Sequence, residues 1–137
     1  MNHTPESKTV VIFEDDAQIT RMMSKILQEY NVTVLVTFRE ALDFLAEQVA
    51  TSPEQALNIL AFVVDGNLSP GEHEGREGKA IIAEISKHSI FSQALIIGNS
   101  YGKSLPGTDY NTSKNWTLIQ KLPEWIATGK PQANTSV

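Results

Sequence analysis

Carboxylates and a lysine stand where three separate strand-like runs end. Glu14, Asp15 and Asp16 follow Val10 to Phe13, Asp65 follows Phe62, Val63 and Val64, and Lys114 follows the polar stretch Asp109 to Ser113. If those runs are parallel strands of one open sheet, their carboxyl-terminal ends share an edge, and residues far apart in sequence line one crevice. Glu14, Asp15 and Asp65 would then offer oxygen ligands suited to Mg²⁺, which keeps several waters and takes one or two carboxylates. A carboxylate is a weak nucleophile. Its attack on a phosphoryl group becomes practical when a divalent cation neutralises charge on both partners and fixes their alignment. Lys114 offsets part of the negative charge, which otherwise raises at least one carboxyl pKa. Taken singly, Asp16 reads as a helix cap, Asp65-Gly66 as a turn and Lys114 as solvated surface. Their joint position at the ends of the first, third and fifth strands is what points to one pocket.

The positioning elements alternate strand and helix without any internal repeat. Thr9 to Phe13 is a short apolar run, as a central strand covered on both faces requires. Ile19, Met22, Met23, Ile26, Leu27 and Tyr30 recur at helical spacing after it. Val32 to Val36 predicts a second strand, and Thr37 with Glu40 a capping box for a helix that turns Ala41, Leu42, Leu45 and Val49 inward, ending at Ser52-Pro53. A third strand is expected from Leu57 to Val64, then a long Gly-rich loop to Gly78, and a helix from Lys79 carrying Ile81, Ile82 and Ile85. Ala94 to Ile97 predicts the fourth strand, ending at Gly98-Asn99-Ser100. Tyr101 to Gly107 is too short and too rich in Gly and Pro for more than about one or two helical turns. The last helix holds Trp116, Leu118, Ile119, Leu122, Trp125 and Ile126, with Pro123 kinking or restarting it. Trp116, Trp125 and Ile126 are expected to pack. Repeated βα units predict an α/β fold, a doubly wound five-stranded parallel sheet of flavodoxin-like order 2-1-3-4-5 with a shortened fourth helix.

The 137 residues suit one domain, 9–128, between a flexible N-terminal tail, 1–8, and a flexible C-terminal tail, 129–137. Apolar residues at 41% and charged residues at 20% predict a chain that folds alone. Sixteen acids against eleven bases leave a net charge of −5, which gives no pull toward nucleic acid or anionic lipid. The absence of cysteine excludes disulfides and thiol chemistry. No run nears the roughly 20 apolar residues of a membrane span, so no membrane partner and a cytoplasmic location are expected. His3, His73 and His88 lack partners at ligand spacing and are expected to be exposed rather than metal-bound.

With these residues in place, the chain resembles the receiver domain of two-component response regulators. The resemblance runs from Thr9 to about Thr128 and rests on Val-Ile-Phe-Glu-Asp-Asp, Val-Val-Asp-Gly-Asn-Leu and Lys114 in that order. It implies that Asp65 accepts a phosphoryl group from a histidine kinase or phosphotransfer protein. Glu14, Asp15 and Asp65 would hold Mg²⁺ with the backbone carbonyl of Asn67, and Lys114 would contact the phosphoryl oxygens. The usual switch hydroxyl at the end of strand 4 is replaced by Gly98, which leaves Asn99 or Ser100 as substitutes; Ser100 is the expected switch hydroxyl. Pro70 lies five residues after Asp65 where four is usual, Asn115 replaces a proline, and Asn111 stands where the switch aromatic is expected, with Tyr110 one place off. The segment from Gly98 to Lys114 is several residues shorter than in receivers. The chain ends without an effector domain, so the expectation is a stand-alone receiver that signals to a downstream protein and is no enzyme beyond slow autodephosphorylation. The alternative is a pseudo-receiver, a protein-interaction module independent of phosphorylation. Val64-Asp65-Gly66-Asn67-Leu68 also looks superficially like the aspartate loop of haloacid dehalogenase phosphatases, but Val63 stands where that chemistry needs its nucleophilic aspartate.

Overall fold

Strands β1 (Thr9–Phe13), β2 (Asn31–Leu35), β3 (Ile59–Asp65), β4 (Leu95–Asn99) and β5 (Tyr110–Asn111) pair in parallel in the order β2-β1-β3-β4-β5. The helices are α1 (Ala17–Ile26), α2 (Phe38–Thr51), α3 (Pro53–Ala56), α4 (Arg76–Lys87), α5 (Trp116–Ile119) and α6 (Leu122–Thr128). The computed structural model describes residues 8–51, 53–68, 76–100 and 105–130. The expected doubly wound order 2-1-3-4-5 is therefore the observed one.

Alternation along the buried strands divides the core. Val11, Phe13, Phe62, Val64 and Ile96 face Ala41, Leu45, Ile81, Ile82 and Ile85 of α2 and α4. Val10, Ile12, Ala61, Val63, Leu95 and Ile97 face Met23 and Leu27 at α1, with Ile119, Leu122 and Ile126 of α5 and α6. Period two on the strands thus meets period 3.6 on helices at both faces, and the packed layers fix which strand ends lie together.

Several boundaries differ from the sequence expectation. Lys8 belongs to the fold, because its carbonyl accepts the N–H of Asn31 at 2.9 Å. Leu57 lies outside β3 and is 68% exposed, since the chain turns at Leu57 and Asn58 before pairing begins. In α2, Leu42 and Val49 are only half-buried, whereas Gln48 is buried with Ala41 and Leu45. The capping box forms with a shift: Thr37 Oγ1 accepts from Glu40 N, but Glu40 Oε1 reaches the N–H of Val36. Helix α4 begins at Arg76, three residues before Lys79, because Gly78 lets its first turn press on the end of β3.

Two elements near the carboxyl end follow from single residues. Pro123 lacks a backbone donor and falls in the first turn of α6, so the last helix restarts there. Asn115 starts α5 by accepting the N–H groups of Thr117 and Leu118 at 2.9 and 3.3 Å. Trp116 is 47% exposed, against the expectation that it packs, because it is the first residue of that short helix. Trp125 stacks on Tyr110 with ring centroids 4.6 Å apart. Among the described residues no helix lies between β4 and β5; residues 101–104 of that segment, like Pro70, His3 and His73, lie outside the described residues.

Candidate functional site

Sheet register brings the acids together. Phe13 pairs with Val64 between β1 and β3, so Glu14 and Asp65 leave neighbouring strand ends side by side. Oxygens of Glu14, Asp15 and Asp65 lie within 4.8 Å of one another. Glu14 is fully buried, Asp65 nearly so, and Asp15 is exposed. Asp16 turns away as the cap of α1, accepting from Gln18 N at 2.9 Å and Ile19 N at 3.2 Å. The division of labour among three consecutive acids is thus set by where the strand ends and the helix begins.

Lys114 reaches in from the turn after β5. Its Nζ lies 3.3 Å from Asp65 Oδ1 and 3.6 Å from Glu14 Oε2, with the side chain only 13% exposed. Asn67 N donates to Asp65 Oδ1 at 3.2 Å, which folds the post-β3 loop around the carboxylate. The loop itself is held by α4: Leu68 N donates to Glu77 Oε1 at 2.6 Å, and Gly78 N donates to Gly66 O at 2.9 Å. A Cβ on Gly78 would sit 2.7 Å from both the carbonyl oxygen of Asp65 and Cα of Gly66. Only glycine permits that approach.

Electrostatics marks Glu14 as the strained member. Burial, then the charge of Asp65, pushes its carboxyl up to about 8, and Lys114 and the N–H of Asp16 offset this only in part. At neutral pH the cation-free pocket therefore keeps a proton on Glu14. The donor set fits a hard divalent cation: it is made of carboxylate oxygens, it is crowded, and Lys114 by itself balances at most one of the three acids.

Glu14, Asp15, Asp65 and Lys114 are thus brought to one crevice, with Asn67 beside it. Ser100 is not opposite Asp65. β4 continues through Gly98 to Asn99, and Asn99 is the residue in register with Asp65. Gly98 reads as a strand end in the sequence, yet here it stays paired on both sides, because its missing Cβ leaves room for Asn111 and Thr108. Asn99, named in the sequence only as an alternative to Ser100, is fully buried here, while Thr112, also fully buried, escaped the sequence reading, as did Glu77 and Gly78. Asn99 carried a usable signal, being polar at the end of an apolar run as Asp65 is; Glu77 and Gly78 carried none. His88 is half-buried and bonds Glu84 at 3.1 Å, away from this pocket, where an exposed position without partner was expected.

Neither a protein-family model nor any curated protein sequence matches the chain. Solved structures do. The Mn²⁺-bound form of response regulator Rcp1 superposes with a TM-score of 0.67 at 16% identity, covering 92% of this chain and 99% of that one. The phosphorylated cyanobacterial phytochrome response regulator RcpA gives 0.62 at 16% identity, covering 85% and 88%. Chemotaxis response regulator CheY4 of Vibrio cholerae gives 0.63 at 20% identity, covering 86% and 98%. At these identities the likeness concerns architecture, and on it the chain has the CheY-like receiver fold of response regulators.

Proposed function

We propose that the chain acts in phosphorelay signalling by accepting a phosphoryl group on Asp65 with the help of a divalent cation. The observation that carries this reading is the convergence of three carboxylates within 4.8 Å with Lys114 Nζ 3.3 Å from Asp65. Glu14, Asp15 and Asp65, with the carbonyl of Asn67, are the residues that would hold Mg²⁺. Bound there, the cation would supply charge neutralisation between carboxylate and phosphoryl group. An Asp65 oxygen forms the new bond to phosphorus as the bond from phosphorus to the donor's leaving group breaks. Lys114 takes up charge on the phosphoryl oxygens, and Asn67 N–H keeps the carboxylate aimed. The phosphodonor would be a histidine kinase or phosphotransfer protein and the output a contact with a downstream protein; slow loss of the phosphoryl group to water is the only turnover in this scheme. Such a signal travels as a population shift, in which the phosphorylated form favours one arrangement of the neighbouring loops.

Incubation with Mg²⁺ and acetyl phosphate tests the proposal. The expected result is a mass gain of one phosphoryl group that is absent from Asp65→Asn and absent after chelation. A second reading, a pseudo-receiver that acts through protein contact alone, draws on Asn99, an amide rather than a hydroxyl in register with Asp65. No mass gain on the wild-type chain, together with no binding of beryllofluoride, decides for that reading. For location, the structure adds only that no helix among the described residues is long and apolar enough to cross a membrane.

A further inference from the structure

Phosphoryl acceptance as described leaves two fully buried polar side chains without a role. Asn99 ends β4 and Thr112 follows β5. Asn99 Nδ2 donates to Glu14 Oε1 at 2.7 Å, Thr112 Oγ1 donates to Asn99 Oδ1, and Lys114 N donates to Thr112 Oγ1 at 3.0 Å. Lys114 Nζ then returns to the other oxygen of Glu14 at 3.6 Å. The four residues close a ring that joins the end of β1, the end of β4 and the turn after β5.

The chemistry of each member fixes its direction. An amide oxygen only accepts, so the Thr112 hydroxyl spends its proton on Asn99 and keeps a lone pair for the Lys114 N–H. The amide nitrogen only donates, so it serves the Glu14 carboxyl. A serine or threonine at position 99 has one proton and one oxygen and is too short to meet both partners as this amide does. The turn it anchors is also strained: Ser113 and Lys114 both have φ of 54°, a left-handed conformation that non-glycine residues hold only when their surroundings over-determine it. The Thr112 hydroxyl, with the Asn115 N–H donated to the Thr112 carbonyl at 2.9 Å, supplies that constraint.

We propose that Asn99 and Thr112 are positioning residues that couple cation binding at Glu14 to the placement of Lys114, so that the pocket and the turn after β5 respond as one unit. The coupling rests on the cation-assisted reading above and extends it to regulation: a change at Glu14 is transmitted to the 113–115 turn through side chains, without a hydroxyl switch on β4. Buried hydrogen-bonded partners of metal ligands commonly govern affinity without touching the metal.

The experiment uses the full chain and Mg²⁺ alone, with calorimetry for affinity and amide hydrogen exchange for the turn. In the wild type, Mg²⁺ slows exchange of the Lys114 amide. In Thr112→Val, Mg²⁺ binds about tenfold more weakly and no longer slows that amide, and Thr112→Ser restores both behaviours. A merely structural role would lower the denaturation midpoint yet leave the Mg²⁺-dependent protection intact. If Thr112→Val does not fold, Asn99→Thr carries the same two readouts. Mg²⁺ affinity in the variant within twofold of wild type, or undiminished protection of Lys114, overturns the coupling alone. A wild-type chain that binds no Mg²⁺ overturns both the coupling and the phosphoryl-acceptor reading beneath it.

Discussion

The two edges of the sheet make opposite use of polar residues. At the carboxyl edge, Glu14 and Asp65 are buried carboxyls beside Lys114, in a crevice whose members are tied to one another. At the amino edge a groove of about 830 Å³ runs between β2, α2 and α3, lined by Asn31, Thr33, Gln48, Gln55 and Asn58. Among the described residues Glu54 is the only charged one lining it. What marks the reactive place is desolvated acid, because holding ionisable groups of like sign out of water costs free energy that a folded chain retains where a cation or a substrate offsets it.

Loss of the nucleophile is the largest effect that would break this contrast. Asp65→Asn should abolish phosphoryl uptake completely in the acetyl phosphate assay, while Gln48→Ala at the opposite edge leaves it unchanged. Uptake that survives Asp65→Asn places the reactive carboxylate elsewhere.

Next in size is the glycine that lets α4 press on the acidic edge. Gly78→Ala puts a methyl group 2.7 Å from backbone atoms of Asp65 and Gly66, which cannot move as a side-chain tip can. Destabilisation of about 3 kcal/mol is expected in urea unfolding, at the upper end of overpacking, with weaker Mg²⁺ binding as the Asp65 loop shifts. Gly98→Ala meets side chains instead, Asn111 Oδ1 at 3.0 Å and Thr108 Cγ2 at 3.2 Å, and should cost about 1 kcal/mol. Equal costs at the two glycines would show that α4 has more freedom than its contacts imply.

How much of this was legible beforehand divides along the same line. Strand order and the layers were readable because apolar runs of four to six residues alternate with helical periodicity, and Val10 to Phe13 or Phe62 to Val64 have no other stable use. Glu14, Asp15, Asp65 and Lys114 were readable because a charge directly after such a run has its place dictated by the strand. Asn99 was passed over in favour of Ser100 because a glycine before it argues for a strand end in one dimension, while in three dimensions Gly98 makes space for Asn111. Glu77 and Gly78 were invisible for a different reason. Their importance lies in contacts to Leu68 and Gly66, ten or so positions away across a loop, and no local pattern encodes such a closure.

Titration sharpens the contrast at intermediate size. With the Glu14 carboxyl raised from 4.5 to about 8, the fold favours its neutral form. Folding of the cation-free chain then takes up a proton between those pH values, so stability is highest on the acid side and declines as pH rises from about 4.5 to 8, by at most about 1.4 kcal/mol per unit. Mg²⁺ must displace that proton. Its apparent affinity should rise by up to about tenfold per pH unit from 6 to 8 and level off above, as calorimetry across buffers would record. In Asp65→Asn the neighbouring charge is gone, so the levelling point should move to lower pH. A pH-independent affinity would mean that Glu14 is already ionised in the free pocket.

The smallest effect comes from the amino edge and has the opposite sign. Gln48 is nine-tenths buried, and among the described residues its amide makes no hydrogen bond. That amide opens on the groove, so exchanging it for an apolar group of similar shape gains only part of the about 1 to 3 kcal/mol that a wholly buried, unpartnered amide costs. Gln48→Leu should therefore raise stability by about 1 kcal/mol and leave both phosphoryl uptake and Mg²⁺ affinity untouched. At the carboxyl edge the analogous exchange, Asn99→Leu, removes the donor to Glu14 and the acceptor for Thr112 together, and should lower stability and Mg²⁺ affinity at once. The same chemical change thus gains at one edge and loses at the other, because only at the second is the amide bonded on both sides. Should Gln48→Leu instead impair uptake, the groove beneath the sheet would take part in function.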